Sequence, residues 1–290
     1  MVFAILLLQI TSHLKQGLIA LNQGDLQQAQ QELEQAGEQE PKNAFVWTSL
    51  AETYLRLGEM DKAKSAGSKA EALSTSNPVA AHALAIFDFN YAQALLRKQE
   101  FTHAADFLSE ALKSNAGDAQ LTLALGAARY GQRRFEEAIN CFLQVIQIDP
   151  KIEQPYVFLG KMLDQAGPRL PEITKDYRTW MAQEPQNAEA PLVLAKALLL
   201  NDARNGEAEE LLRKSIELDS KDWEAHYELG VLLAHRHEYQ KAAAELERSI
   251  ELNGKEAEPH YHLARVYDRL GEPERAKTER EIHQKLTVKN

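Results

Sequence analysis

Read for its apolar and polar positions, this chain repeats itself. Small residues stand at Gly17, Ala51, Ala92, Gly126, Gly160, Ala195, Gly230 and Ala264, spaced by 34, 41, 34, 34, 35, 35 and 34 residues. A second small column follows twelve or thirteen residues behind, at Ala29, Ala63, Ala104, Ala138, Ala208, Ala242 and Ala276, with Ile173 in that place in the fifth period. Two small positions per period are what two helices need if their backbones are to pack closely within every repeat. No stretch alternates apolar and polar residues in the manner of a half-buried strand, so the chain reads as all helix.

The residues around the two columns sharpen this reading. Repeat 2 carries Trp47, Leu50, Ala51, Tyr54 and Ala63, and repeat 4 carries Leu125, Gly126, Phe135, Ala138, Phe142 and Pro150. Repeat 1 closes with Ala29, Leu33, Ala36 and Pro41. This pattern resembles the tetratricopeptide repeat, a unit of about 34 residues, and the resemblance covers essentially residues 10–290. It implies an all-α, right-handed superhelical solenoid of about eight helix-turn-helix repeats. The expected units lie near 10–43, 44–77, 78–118, 119–152, 153–187, 188–222, 223–256 and 257–290, forming one solenoid behind an apolar segment at 1–9.

Composition agrees with a solenoid. Length alone would suggest about two globular domains, but each repeat of a solenoid buries its apolar face only against its neighbours, so length sets no such limit. Apolar residues make up 44 %, enough for a continuous core. A net charge of −10 and a pI near 5.5 exclude the concentrated basic face that phosphate recognition needs, so no nucleic-acid partner is expected. Cys141 is the one cysteine. It can form no internal disulfide, carries no thiol metal motif, and beside Phe142 reads as a packing residue.

Departures from the period are informative. Seven extra residues enter between repeats 2 and 3, and Asn77 with Pro78 forms an N-cap and first-turn pair, predicting a helix A about two turns longer than its siblings. In repeat 5, Gly167, Pro168, Arg169, Leu170 and Pro171 separate the helices, and both prolines disfavour helix until the second can start a new one. Ile173, Tyr177 and Trp180 then stand where smaller or more usual residues are expected. They should push that helix pair apart or fill a gap left by the longer loop. The last unit is rich in charge, with Arg275 and Glu279, Lys277 and Glu281, and Glu281 and Lys285 each four apart, which suits a solvated outer face.

Catalytic constellations are missing from the sequence: it has no glycine-rich phosphate loop, H-E-x-x-H, G-x-S-x-G or Cys-x-x-Cys. No cofactor is expected and the chain does not read as an enzyme. Five of its nine histidines, His226, His235, His237, His260 and His262, crowd into residues 226–262 of repeats 7 and 8. Residues two apart on a helix point to different sides and converge poorly on one ion, which argues against a metal site. His226 and His260 share the position where the family pattern has Trp, so packing between helices is their expected role.

Function should then lie in the surface. In the family that the chain resembles, the A helices line a concave groove that holds an extended or helical segment of a partner, and the same is implied here. One step after the small residue stand Leu18, Glu52, Gln93, Ala127, Lys161, Lys196, Val231 and Arg265; three steps before it stand Leu14, Thr48, Phe89, Leu123, Val157, Leu192, Tyr227 and Tyr261. With Arg97 and Tyr130 near the other edge, the candidate groove residues are Phe89, Arg97, Tyr130, Lys161, Lys196, Tyr227, Tyr261 and Arg265. An acidic-aromatic peptide would suit the cations and tyrosines; alternatively the cations pair with Glu189, Glu224 and Glu258. Neither the family's clamp for a terminal carboxylate nor its asparagine ladder has its residues here. The favoured function is a non-catalytic scaffold for a protein or peptide partner. The alternatives are a regulatory or substrate-recruiting subunit of an enzyme on another chain, and a groove for a glycan or small ligand.

Val2 to Leu8 is an unbroken apolar run, too short for a bilayer span of about 20 residues, and no Lys or Arg precedes it. It fits an apolar extension of the first helix, the remnant of a signal peptide, or a membrane anchor. No stable membrane insertion is expected, and the compartment reads as cytoplasmic, or exported if the run is a signal remnant. Thr11 and Ser12 offer a cap for a helix beginning there. Deleting residues 1–9 should therefore leave the helical signal and the melting temperature unchanged; a large drop in circular-dichroism melts would show that the segment packs onto repeat 1.

Overall fold

A computed structural model describes residues 12–74 and 78–288. The expectations for residues 1–11 and the capping role of Asn77 lie outside the described residues. Two compact units divide the chain, residues 1–144 and 145–290. Among the described residues every regular element is a helix, and none is long and apolar enough to cross a membrane.

The first unit stacks antiparallel pairs: α1 (Ser12–Gln23) with α2 (Leu26–Gln39), α3 (Ala44–Leu57) with α4 (Met60–Ser74), and α5 (Pro78–Arg97) with α6 (Phe101–Ser114). Then come α7 (Ala119–Gly131) and α8 (Phe135–Ile148), within which the division falls. Residues 145–290 contain α9 (Gln154–Gly160), α10 (Leu170–Gln183), α11 (Glu189–Asn201) and α12 (Gly206–Leu218). They end with α13 (Trp223–His235), α14 (Tyr239–Leu252), α15 (Ala257–Leu270) and α16 (Pro273–Thr287).

Short polar residues start many of these helices. The carboxylate of Asp118 accepts from the amides of Gln120 and Leu121 at 2.8 and 3.0 Å, and Asn43, Asn205 and Asp222 cap their helices in the same way. Each such cap satisfies an amide that the helix itself leaves unbonded, worth about 1 kcal/mol. Between the two helices of a repeat the chain turns through the left-handed region seven residues after the small column, except in repeat 6, where Asp202 is extended with φ of −147°. Gly58 and Gly271 do so with φ of 82° and 76°, while Gln99, Arg133 and His237 take the same conformation at 59°, 61° and 65°. A side chain there costs energy, so helix packing on both sides holds those three turns.

Both small columns are buried throughout, the second to the point that Ala29, Ala63, Ala104, Ile173 and Ala276 have no exposed surface. The reason is steric. A Cβ placed on Gly17 would sit 2.6 Å from Cγ of Leu33, on Gly126 it would sit 2.6 Å from Cε1 of Phe142, and on Gly230 it would sit 2.7 Å from Cγ of Leu246. Helix B thus sets one large side chain, four residues after its own small column, directly over the bare backbone of helix A. Repeat 2 inverts the arrangement: Gly67 takes the large residue's place, and a Cβ there would lie 2.5 Å from the Phe87 ring of the next repeat.

At 20 residues, α5 exceeds the 14 of α3 by about two turns, as the insertion before it predicts. Repeat 5 departs further than its prolines suggest. α9 has only 7 residues and ends at Gly160; two 3-10 turns follow, at Leu163–Gln165 and Gly167–Arg169, before α10 begins with Pro171 in its first turn. The volume left by the missing helix is filled with rings. Tyr156 stacks on Trp180 with centroids 4.5 Å apart, and the buried Tyr177 hydroxyl donates to the carbonyl of Tyr156 at 3.1 Å. The bulky residues fill this gap, and the two helices of the repeat also approach less closely than those of the other pairs in residues 145–290, so both expectations for them are met.

α16 buries only Ala276 along its length. Its charges pair differently from the four-residue spacing: Arg275 reaches Glu272 and Glu247, each at 2.8 Å, and Arg280 reaches Asp268 at 2.8 Å. Reaching across to α14 and α15 brings partners that the helix's own sequence cannot reveal.

The seam is testable by a double-mutant cycle. Gly230→Ala should destabilise by about 1–3 kcal/mol through overpacking, and Leu246→Ala by about 2–5 kcal/mol through a cavity. The two together should cost clearly less than the sum in urea titrations, because each relieves the other; strict additivity would dissociate the two residues.

Candidate functional site

The position one step after the small column is open in every repeat: Leu18, Glu52, Gln93, Ala127, Lys161, Lys196, Val231 and Arg265 all reach solvent. The position three steps before it behaves otherwise. Leu14, Thr48 and Leu192 are buried in the core, whereas Tyr227 is half-buried and Tyr261 is 43 % exposed. In this second column Phe89, Tyr227 and Tyr261 are the aromatic residues that are not fully buried, and in repeats 7 and 8 two of them stand in successive repeats alongside the first column.

In residues 145–290 the structure brings Lys161 and Lys196 to one cavity of about 490 Å³, between the end of α9 and the faces of α11 and α13. Glu224 and Glu228 line its other side, above Leu199 and Val231. Lys196 is already engaged, its ammonium paired with the Glu224 carboxylate. Burial pulls the Lys196 pKa down, but the attraction of Glu224, with Glu228 and Glu189, outweighs it and leaves the pKa raised. So the expected pairing of groove cations with glutamates holds for Lys196. Lys161 is exposed beside the Phe158 ring, 5.9 Å from its centroid.

These carboxylates outnumber their lysine. Glu189 is raised by burial and then by Glu224 and Asp222. The Glu228 carboxyl, without a hydrogen bond or ion pair among the described residues, is pushed up to about 7 by burial, with Glu224 adding to it and Lys196 opposing.

Next to this cavity runs an aromatic strip. His262 lies edge-on between Tyr227 and Tyr261, at 5.7 and 5.3 Å between centroids. Burial first, then the positive charge of Arg265, pulls the His262 pKa down to about 4, so its ring is neutral at pH 7. Exposed Arg265 sits over the Tyr261 ring, 5.6 Å from the centroid, and lines a smaller cavity of about 170 Å³ with His235 and His262. Lys161 and Arg265 make no ion pair among the described residues. Phe89, Arg97 and Tyr130 belong to the other unit: Phe89 packs partly buried on its core, Arg97 is exposed in the last turn of α5, and Tyr130 meets Phe135 edge-on at 5.9 Å.

The histidines have a role that sequence reading reached only halfway. His226 is held by Glu245 at 2.7 Å and His260 by Glu279 at 2.6 Å, and in repeat 1 His13 meets Glu32 at 2.7 Å. Each pair joins helix A to helix B across 19 residues. A carboxylate can only accept, so Nδ1 carries the proton, while Nε2 of His226 and of His260 is buried without a partner among the described residues. His237 lies 2.8 Å from the Tyr239 hydroxyl. Among the described residues no group of His, Cys, Asp and Glu could hold a metal ion. Cys141 is half-buried and its thiol is pushed up to about 11 by burial, leaving it unreactive near neutral pH.

Two family profiles, both described as tetratricopeptide repeat, match residues 20–86 and residues 89–151 and 198–257, together more than half of the chain. Solved structures share the fold. The chain is similar to yeast Tom70, at 17 % identity and a TM-score of 0.52 over 90 % of this chain and 55 % of that one. It is similar also to the APC/C hetero-tetramer Cut9-Hcn1, at 15 % identity and a TM-score of 0.58 over 91 % and 50 %. The Thermus thermophilus protein TTC0263 aligns at 20 % identity and a TM-score of 0.50 over 59 % and 93 %. No curated protein sequence matches the chain.

The raised carboxyl of Glu228 has a consequence for stability. The folded chain keeps a proton that the unfolded chain releases between pH 4.5 and about 7. Stability therefore falls as pH rises through that window and stays lower above it. Glu228→Gln should melt higher than the parent at pH 8, with the gap closing by pH 4; equal melting temperatures at both pH values would place the carboxyl in an ordinary solvated setting.

Proposed function

Since the chain belongs to the tetratricopeptide repeat family, we propose that it is a non-catalytic interaction scaffold that holds a segment of a partner protein against the A-helix face of residues 145–290. The observation that carries this reading is the aromatic strip of Tyr227, His262 and Tyr261, which leads from exposed Arg265 toward the cavity lined by Lys161. A strip of rings with little charge offers apolar area at small entropic cost, as binding surfaces require.

The charges then order the guest. Lys196 is neutralised by Glu224 and has little left to give a partner. Lys161 and Arg265 flank the strip, and they favour a segment whose apolar or aromatic residues lie on the tyrosines with an acidic group at one or both ends. Cofactor and metal have no part in this reading.

Crosslinking the tagged protein in its native cells identifies a partner, and purified components then test the face. Tyr261→Ala combined with Arg265→Glu should keep the circular-dichroism spectrum and weaken capture of that partner at least tenfold. Capture by the parent should also weaken as salt is raised. Undiminished capture by the double variant would move the binding surface away from this face.

A further inference from the structure

A second cavity, of about 550 Å³, lies in the first unit between α4, α5 and α6. Six carboxylates line it, Asp61, Glu71, Asp88, Glu100, Asp106 and Glu110, against the two lysines Lys64 and Lys98. Some of this acidity is locally balanced: Glu100 pairs with His103 at 3.0 Å, Glu110 pairs with Lys113, and Glu71 accepts from the Ser114 hydroxyl at 3.0 Å. Asp88 is not balanced. Its residue is only 7 % exposed, it lines the cavity, and among the described residues it has no hydrogen bond or ion pair.

The repeat register shows what Asp88 lacks. It stands four residues before the small column, where repeats 1, 7 and 8 carry His13, His226 and His260, each held by a glutamate on helix B. In repeat 3 the helix B position that supplies the glutamate in repeats 1, 7 and 8 is Phe107, so the polarity is reversed: the acid is on helix A and the residue opposite it in the register carries no charge. Phe107 instead packs against Tyr91, with centroids 4.7 Å apart, and both rings line the cavity. A buried carboxylate without a partner is costly. A carboxylate deep in an acid-rimmed cavity beside two aromatic rings has the makings of a receptor for an organic cation, since both the negative charge and the ring faces attract one.

We propose that this cavity receives the side chain of a lysine presented by a partner segment, with the ammonium against Asp88 and the methylene stem along Tyr91 and Phe107. An ammonium is a compact charge with three donors, suited to carboxylates that converge from different helices, whereas a guanidinium is a planar fork that best meets one carboxylate in its own plane. The site is distinct from the face proposed above for residues 145–290, and neither reading depends on the other.

Protonation gives the proposal a second handle. Burial pushes the Asp88 carboxyl up to about 7, with Glu71 and Asp118 adding to it. The charged groups facing it are Asp61, Lys64 and Glu71 from α4, Lys98 in the turn after α5, Glu100, His103, Asp106 and Glu110 at α6, and Asp118 at the start of α7. A cation binds the ionised acid, so affinity should climb about tenfold per pH unit below pH 7 and level off above it.

The test is a nitrogen-proton correlation NMR titration of the full chain with a blocked Gly-Lys-Gly peptide, its Nε-acetyl-lysine counterpart, and spermidine. The lysine peptide should shift the amide signals of Asp88, Tyr91 and Phe107, and should do so more tightly at pH 7.5 than at pH 5.5. The acetylated peptide should leave them in place. Asp88→Asn should lower the affinity at least tenfold and flatten its pH dependence while melting no lower than the parent. Should that variant fail to fold, Phe107→Leu, which keeps apolar bulk and removes the ring, should still weaken binding. No localised shift with the lysine peptide, or equal binding by the acetylated peptide, would overturn the proposal. Binding of spermidine without binding of the lysine peptide would also overturn it, in favour of a free polyamine.

Discussion

Close approach of two helix backbones at a small residue is the constraint on which the repeats depend, and it is tightest in repeats 1, 4 and 7. At Gly17, Gly126 and Gly230 the facing side chain of helix B lies where a Cβ would otherwise be. The rest of the repeat is arranged around that contact. The residue after the small position is swung to the open side of helix A, the residue four before it is turned toward helix B, and the left-handed turn seven residues on returns the chain so that the large side chain can arrive. Such contacts are short-range in sequence, which is why one motif can be repeated with its surface residues freely varied.

The position four before the small column shows how much chemistry that freedom permits. Trp47 fills it in repeat 2, donating from its indole to the carbonyl of Pro41 at 2.9 Å with Lys69 over its ring at 4.1 Å. Asp88, Thr122 and Tyr156 follow, and then His226 and His260 with their glutamates. One backbone site thus hosts a stacked ring, a lone acid, a hydroxyl and a hydrogen-bonded imidazole in turn. Its partner on helix B changes with it, Phe107 opposite Asp88 and Glu245 opposite His226, so the two positions act as a unit.

Much of this was legible in the sequence because packing leaves a periodic trace. The two small columns, the long α5 and the interrupted fifth repeat all follow from residue size and from proline. Partners 19 residues apart on different helices leave a fainter trace. Glutamate is common on helix surfaces, and nothing marks Glu245 or Glu279 until the histidine column is laid beside it at that offset. The open column after the small residue was readable, whereas the column three before it was not, since burial there depends on the neighbouring repeat: the same register puts Leu192 in the core and Tyr261 at the surface. The ending of α9 at Gly160 was not marked either, because the prolines that disfavour helix come several residues later.

Repeat 5 joins its neighbours differently from the others, and this bears on how the second unit fluctuates. Elsewhere two helices of full length share a seam, and separating them means exposing several turns of apolar surface at once. Here a helix of 7 residues is held through the rings of Tyr156, Tyr177 and Trp180. In a stack whose cooperativity comes from nearest-neighbour terms, propagation of order is weakest where the shared surface is shortest. The region around Gly160 is therefore the natural place for transient local opening in residues 145–290, and Trp180, stacked within it, is a fluorophore already in position to report the event.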